Sequence, residues 1–177
     1  MAAVTNSRRS IAGIVLVVAG ALLLLNFVLV LAKVSALSPW LEFLAYLAIG
    51  VAFLILALAS FRGTITRIAL IVGAVGWVLL ALALVVTGLP PVLVTVALVA
   101  AALGTLIASI ALYVGKEVTN QSAIAFIVTA IVAAIILLAQ VAGATLGDFG
   151  TVLAVLFAIL LVVTGVLFAR TQGSRGR

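Results

Sequence analysis

The chain has 177 residues, of which 68% are hydrophobic and 7% are charged, and its mean hydropathy is +1.63. A soluble domain is about half apolar and about a quarter charged, because it must cover its surface with polar groups. This composition excludes a soluble domain and indicates that the lipid bilayer is the solvent. The net charge of +6 comes from basic residues at the ends of apolar runs, so we do not interpret it as a sign of nucleic-acid binding.

Six apolar runs follow one another along the chain, at residues 11–32, 41–61, 68–89, 92–114, 123–141 and 151–169. Each run is about 20 residues long, which is the length that a helix needs to cross the hydrocarbon once. Strands of a membrane barrel would instead alternate polar and apolar residues over about ten positions. The sequence therefore predicts an all-α integral membrane protein with six transmembrane helices in a single domain over residues 1–177.

The first run follows a basic pair, Arg8-Arg9, in the stretch SRRSIAG, which resembles a twin-arginine export signal. The apolar region of a signal peptide spans about 7–15 residues, and this run is longer. We interpret the run as the first transmembrane helix, with its removal after export as the alternative.

The distribution of basic residues predicts the orientation of the helices. Of the nine Lys and Arg residues, only Lys33 falls on one side of the predicted membrane. Short loops rich in Lys and Arg remain in the cytoplasm, so we expect both termini to be cytoplasmic. A high content of Ala, Val, Leu and Gly, with more Arg than Lys, is typical of a GC-rich bacterial genome, which places the chain in a bacterial cytoplasmic membrane. The residues expected to set the topology are Arg8, Arg9, Arg62, Arg67, Lys116 and Arg170, with Arg175 and Arg177 on the same side.

The first, third and fifth runs share a register. The stretches IVLVVAGALLLLN, IVGAVGWVLLALA and IVTAIVAAIILLA start at nearly equal intervals, at Ile14, Ile71 and Ile127. This spacing predicts three tandem helical hairpins of the same orientation, which stack because one hairpin alone cannot bury its packing faces. The layout, opened by Arg8-Arg9 and a first helix that contains Gly and Ala, resembles the HdeD-type family of small bacterial membrane proteins. The resemblance implies an association with acid and stress resistance, and it assigns no functional residue.

The sequence offers little for catalysis or for metal binding. Cys and His are absent, and the carboxylates are Glu42, Glu117 and Asp148. Glu42 lies at the outer end of the second run, and Glu117 and Asp148 lie in loops, so none is at mid-depth and we predict no catalytic pair and no metal cluster. We therefore expect no enzymatic activity and no cofactor. At the outer end of the first hairpin, Glu42 is expected to form a solvated ion pair with Lys33.

Three side chains within the runs are candidates for a cavity or for polar packing: Asn26, Trp77 and Gln140. Asn26 needs partners in hydrocarbon, either in a hydrogen bond between helices, which we favour, or in a ligand cavity. Trp77 lies in the middle of its run, away from the interfaces that Trp prefers, so its indole N–H needs a partner or a wet pocket. Gln140 lies near the outer end of the fifth run, where it is expected to reach headgroup water.

The fourth run carries a face of small residues, Ala100, Gly104 and Ala108, spaced one helical turn apart. In lipid, small residues let helix backbones approach closely. We therefore predict that the fourth helix makes the closest contact in the bundle.

These features support two hypotheses about function. The leading one is a non-enzymatic structural or accessory component, related to stress, which packs against a partner membrane protein or a second copy of itself. The alternative is a module that binds or transports a small solute or lipid, similar to the substrate-binding subunits of energy-coupling-factor transporters. Both hypotheses place the protein in the bilayer, and neither involves nucleic acid.

Overall fold

The computed structural model describes residues 2–34, 37–59 and 63–170. Within these residues the chain is all-helical, without strands, and all six helices are long and apolar enough to cross a membrane. The predicted all-α class, with six helices of membrane-spanning length, is thus confirmed. The helices are α1 (Ala2–Leu31), α2 (Ser38–Leu58), α3 (Thr64–Val85), α4 (Pro91–Val114), α5 (Asn120–Val141) and α6 (Gly147–Arg170).

The helix ends differ from the ends of the apolar runs where local chemistry overrides hydropathy. α2 starts before its run because Pro39 lies in its first turn, where the N–H that proline lacks is not needed. α3 ends before its run does, ahead of Gly88, which has φ 90°, and Pro90. α5 starts early because the hydroxyl of Thr119 accepts a hydrogen bond of 3.3 Å from the backbone N–H of Ser122.

Among the described residues, the six helices form a closed ring in which each helix packs against its two neighbours, with α6 beside α1. Neighbouring helices run antiparallel. On α3 and α4, for example, Gly73 faces Gly104 whereas Gly76 faces Ala101. The start of α1, the end of α6 and the α2–α3 and α4–α5 loops therefore lie at one end of the ring, which we call the termini end. The other three loops lie at the opposite end, which we call the hairpin end.

The charged residues are divided between these two ends. The termini end carries Arg8, Arg9, Arg67, Lys116, Glu117 and Arg170, and the hairpin end carries Lys33, Glu42 and Asp148. Arg62, Arg175 and Arg177 lie outside the described residues. At the termini end, Arg8 Nη1 donates a hydrogen bond of 2.6 Å to the carbonyl oxygen of Leu58. The negative end of the α2 dipole, at the C-terminus of that helix, also stabilises a cation at this position.

Small residues bring the backbones of α3 and α4 into contact. A Cβ added to Gly104 would lie 2.5 Å from Gly73 Cα, so only glycine fits there. Of its neighbours on the predicted face, Ala108 is buried, and Ala100 is partly buried at the edge of the contact, next to Gly76. The small-residue face of α4 therefore packs on α3, which contributes two glycines that the sequence analysis did not single out.

The backbones of α1 and α6 also approach each other closely. A Cβ added to Gly165 would lie 2.5 Å from the carbonyl oxygen of Gly13, and one added to Gly20 would lie 2.6 Å from the carbonyl oxygen of Ala158. These contacts join the first helix to the last and close the ring. The α1–α6 contact is thus a second close approach of helix backbones, beside the one between α3 and α4 that involves the predicted face of α4.

Aromatic side chains fill the middle of the ring, where opposite helices face each other. Phe53 of α2 meets Phe126 of α5 edge to face, with ring centroids 5.6 Å apart. Trp77 of α3 stacks on Phe157 of α6, with centroids 5.8 Å apart and planes inclined by 9°. Phe53, Phe126 and Trp77 are all buried. The interior is thus packed at mid-depth, and a cavity lies between the Trp77–Phe157 pair and the hairpin end.

Candidate functional site

A cavity of about 420 Å³ occupies the hairpin end of the ring, with walls from α1, α2, α3, α5 and α6. Trp77 and Phe157 form its floor, and the exposed residues Leu31, Thr151 and Ala154 border it near the end of α1 and the start of α6. Small-molecule sites in proteins typically have volumes of about 300–1,000 Å³. The cavity therefore has room for a small organic molecule.

Asn26 and Glu42 form a hydrogen-bonded pair in the cavity wall. Asn26 Nδ2 donates a hydrogen bond of 2.9 Å to Glu42 Oε1. Asn26 lies about 8 Å before the end of α1, and Glu42 about 6 Å after the start of α2, at 1.5 Å of rise per residue. Because the two helices run antiparallel, these positions lie at the same depth.

The other polar atom of the Asn26 amide has no partner. The side chain is 7% exposed, and its Oδ1 is buried without a hydrogen bond. A carboxylate only accepts hydrogen bonds, so the amide nitrogen must face Glu42 and the carbonyl oxygen must point elsewhere. The cavity wall thus contains one buried acceptor that the protein itself does not satisfy.

The expected ion pair between Glu42 and Lys33 is not formed. Both residues are described by the structure, and Glu42 is bonded to Asn26 with no basic side chain at ion-pairing distance. Lys33 instead lies in the turn after α1, where its backbone is in the left-handed region with φ 61°, and its side chain is exposed. From its position in the sequence Glu42 is expected to be a solvated interfacial residue, whereas its side chain in fact lines the cavity.

Trp77 is both a core residue and the cavity floor. Its indole Nε1 donates a hydrogen bond of 3.1 Å to Thr105 Oγ1, and that hydroxyl donates one of 2.6 Å to the carbonyl oxygen of Ala101. The partner that an indole N–H requires away from water is therefore a threonine of α4. On the cavity side, the Tyr46 ring lies 5.4 Å from the Trp77 ring.

The structure brings two of the three candidate polar residues together and leaves the third apart. Asn26 and Trp77 both line the cavity. Gln140 is exposed on α5 and does not belong to the cavity wall. Glu42 and Tyr46 do line the cavity, although neither is among the site residues predicted from the sequence. Their spacing of four residues puts them on one face of α2, but it does not show whether that face points to lipid or to the interior.

Two other features lie away from the cavity. At the termini end, Glu117 Oε1 accepts a hydrogen bond of 3.0 Å from the backbone N–H of Gly63, which ties the α4–α5 loop to the start of α3. On the outer surface, an apolar groove of about 630 Å³ runs between α3 and α4, with Ile68, Leu103 and Ile107 among its walls. We refer to it as the α3–α4 groove.

The cavity can accept hydrogen bonds, attract positive charge and surround an apolar body. Glu42, Asn26 and Tyr46 supply the polar atoms, and the remaining walls are mainly apolar. Among the described residues, no group of three His, Cys, Asp or Glu side chains is placed to hold a metal ion. No protein-family model, curated protein or solved structure matches this chain.

Proposed function

We propose that this chain is a non-enzymatic membrane protein that binds a small solute or lipid-derived molecule in the cavity at the hairpin end. The observation that carries the proposal is the unpartnered, buried Oδ1 of Asn26 in the cavity wall. Leaving a buried acceptor unsatisfied costs about 1–3 kcal/mol. A bound molecule recovers that cost when the Asn26 side chain turns its oxygen toward a hydrogen-bond donor in the cavity, whereas a purely structural role for Asn26 does not.

The orientation in this proposal follows from the charges. The basic residues of the termini end favour the cytoplasmic side of a bacterial membrane, and the hairpin end has only Lys33. With both termini in the cytoplasm, the cavity lies in the outer half of the bilayer. Its ligand then enters from the outer face or from the outer leaflet.

Mass spectrometry of the intact protein tests the proposal. Ala154 is an exposed residue of the cavity wall, so Ala154→Phe places a ring at the mouth without disturbing the core. Val152→Phe is the matched control, because Val152 is 61% exposed on the same helix and lies outside the cavity. We expect a bound small molecule on the wild type and on Val152→Phe, and its loss from Ala154→Phe. A wild-type protein without any bound molecule, or equal retention by both variants, would refute the proposal.

A second candidate function is supported by the α3–α4 groove. An accessory component would pack this groove against a helix of a partner membrane protein or of a second copy, in the stress-related context that the HdeD-type resemblance implies. Leu103→Trp places a bulky ring in the groove. A stoichiometric partner that copurifies with Ala154→Phe but not with Leu103→Trp would support this role. Copurification unaffected by Leu103→Trp would exclude the groove as the interface.

A further inference from the structure

We infer that the cavity takes an amphiphilic ammonium ion, that is, a protonated amine on a compact apolar or aromatic body. The inference rests on the proposed function and adds the chemical class of the ligand. Three properties of the wall lead to it: an uncompensated carboxylate, an unpartnered amide oxygen and a cluster of aromatic rings.

The first property is the carboxylate of Glu42. It is partly buried, and the structure places the Asn26 amide, but no basic side chain, against it. A carboxylate removed from water without a counter-charge is costly, and an amide donor compensates only part of that cost. A cation in the cavity supplies the missing charge.

The second property is the Oδ1 of Asn26. Because this buried oxygen is an acceptor in a residue that lines the cavity, it favours a ligand with a donor hydrogen toward which the amide can turn. A primary ammonium group has three N–H donors and can serve the Glu42 carboxylate and the Asn26 oxygen together. A quaternary ammonium ion has none, so it would leave the amide oxygen unsatisfied.

The third property is the surface around these polar atoms. Phe27, Tyr46, Trp77 and Phe157 bring four aromatic rings to the cavity, and Leu23 and Leu137 add aliphatic wall. Aromatic rings attract ammonium groups through their negative faces and also pack against an apolar body. The ligand is therefore amphiphilic, with its charged head at Asn26 and Glu42 and its body toward the Trp77–Phe157 floor.

Phenethylammonium chloride and neutral 2-phenylethanol are two probes of nearly equal size and shape. A difference between their affinities therefore measures the effect of the charge. The chain has two tryptophans, and Trp40→Phe leaves Trp77, in the cavity floor, as the only fluorescent indole. Binding is measured by Trp77 fluorescence, with the protein in nanodiscs of phosphatidylcholine, whose surface carries no net charge. We expect phenethylammonium to bind at least about tenfold more tightly than 2-phenylethanol, because a desolvated charge pair contributes more than apolar contact alone.

Variants assign that preference to the site. Glu42→Gln should weaken phenethylammonium binding by about tenfold or more and leave 2-phenylethanol binding unchanged. Asp148→Asn removes a carboxylate from the same end of the bundle but outside the cavity, so it should change neither affinity. Asn26→Leu, which keeps the carboxylate, should weaken phenethylammonium binding several-fold and serves as the test if Glu42→Gln does not fold.

The outcomes separate this inference from the proposed function. Equal affinity for the two probes would overturn the ammonium assignment while the cavity remained a binding site, and so would phenethylammonium affinity that is unchanged by Glu42→Gln. Binding of neither probe to the folded protein would overturn the ammonium assignment and count against the proposed function as well.

Discussion

Asn26 and Glu42 lie where two antiparallel helices bring an amide and a carboxylate to one depth beneath the hairpin end. Little water competes for their hydrogen bond there, and such bonds between membrane helices contribute about 0.6–2 kcal/mol. The amide makes this bond with its nitrogen, its oxygen is buried without a partner, and the residue lines the cavity. One residue thus combines the two roles that the sequence analysis treated as alternatives, a helix–helix hydrogen bond and a polar point in a cavity.

Replacing Asn26 by Leu tests how these roles divide. The variant loses the bond to Glu42 but also removes a buried, unsatisfied acceptor, so we expect the free energy of unfolding to change by less than about 2 kcal/mol. Less of the small molecule should remain bound, because its affinity falls several-fold. Thermal unfolding in detergent and intact-protein mass spectrometry measure the two effects. A large loss of stability, with the ligand retained, would make Asn26 a structural residue only.

Replacing Trp77 by Phe tests the cavity floor. The smaller ring loses the hydrogen bond to Thr105 and part of the stack on Phe157, so we expect a loss of stability of about 1–3 kcal/mol. Trp40→Phe is the matched control, because Trp40 is 58% exposed and should tolerate the change. The two melting temperatures in detergent give the comparison. Equal melting temperatures would show that Trp77 contributes nothing beyond a phenyl ring.

The sequence identified part of the site because some residues were out of place. An amide inside an apolar run and a tryptophan away from the interface both violate the usual distribution, and both line the cavity. Glu42 gave no such signal, since a carboxylate near the end of a run usually reaches water. The Glu42 side chain lies on the inner face because of the rotational orientation of α2 about its own axis. Hydropathy does not determine this orientation.

At the scale of elements, glycines decide which helices meet at the backbone. Gly73 faces Gly104 between α3 and α4, and Gly13 faces Gly165 between α1 and α6. Van der Waals contact at small residues contributes much of helix association in lipid, where the hydrophobic effect is weak. The Ala100, Gly104 and Ala108 spacing indicated one of these contacts. The α1–α6 contact uses Gly13 and Gly20 on α1, which are two turns apart, so they do not form the run of small residues at successive turns that marked α4.

Replacing Gly104 by Ile tests the α3–α4 contact. The new side chain would collide with the backbone of Gly73, so the two helices must separate, at a cost of about 1–3 kcal/mol or more. Leu103→Ile is the control, because Leu103 is 44% exposed and the change also introduces a β-branched residue. We expect a lower melting temperature in detergent for Gly104→Ile alone. A melting temperature equal to that of Leu103→Ile would mean that the glycine contact does not hold these helices together.

Hydropathy predicted the helices themselves well and their ends less well. The number of helices follows from the apolar runs, since each run is about as long as the bilayer is thick. The ends depend on Pro39, on Thr119 and on the turn at Gly88, which act through backbone geometry and not through apolarity. The result is a shift of a few residues at several helix ends.

At the scale of the whole molecule, the ring closes because α6 returns to α1. The predicted tandem hairpins fix the pairs that are adjacent in sequence, but they do not determine whether the first and last helices touch. Every helix carries apolar residues on all of its faces, so the sequence does not distinguish a lipid-facing side from an inward-facing side. The cavity results from the closed ring, and for that reason the sequence alone did not predict it.

Reporter fusions test the orientation of the ring. Fusions at Gly63, Lys116 and the C-terminus should report the cytoplasm, and fusions at Ser38 and Gly147 should report the outside. The reason is the concentration of Arg and Lys at the termini end. A C-terminus on the outside would contradict both the orientation and the position of the cavity in the outer half of the bilayer.

The most direct test of the binding cavity is the reaction of single cysteines with a water-soluble maleimide, because the chain has no cysteine of its own. Ala154→Cys places a thiol in the cavity wall, and Val152→Cys places one on the outer, lipid-facing surface at nearly the same depth. With the protein in nanodiscs, we predict that the cavity thiol reacts and that phenethylammonium slows its reaction, whereas the lipid-facing thiol stays largely unreactive. Equal reactivity of the two thiols, or no reaction at Ala154→Cys, would contradict a cavity that small molecules can enter.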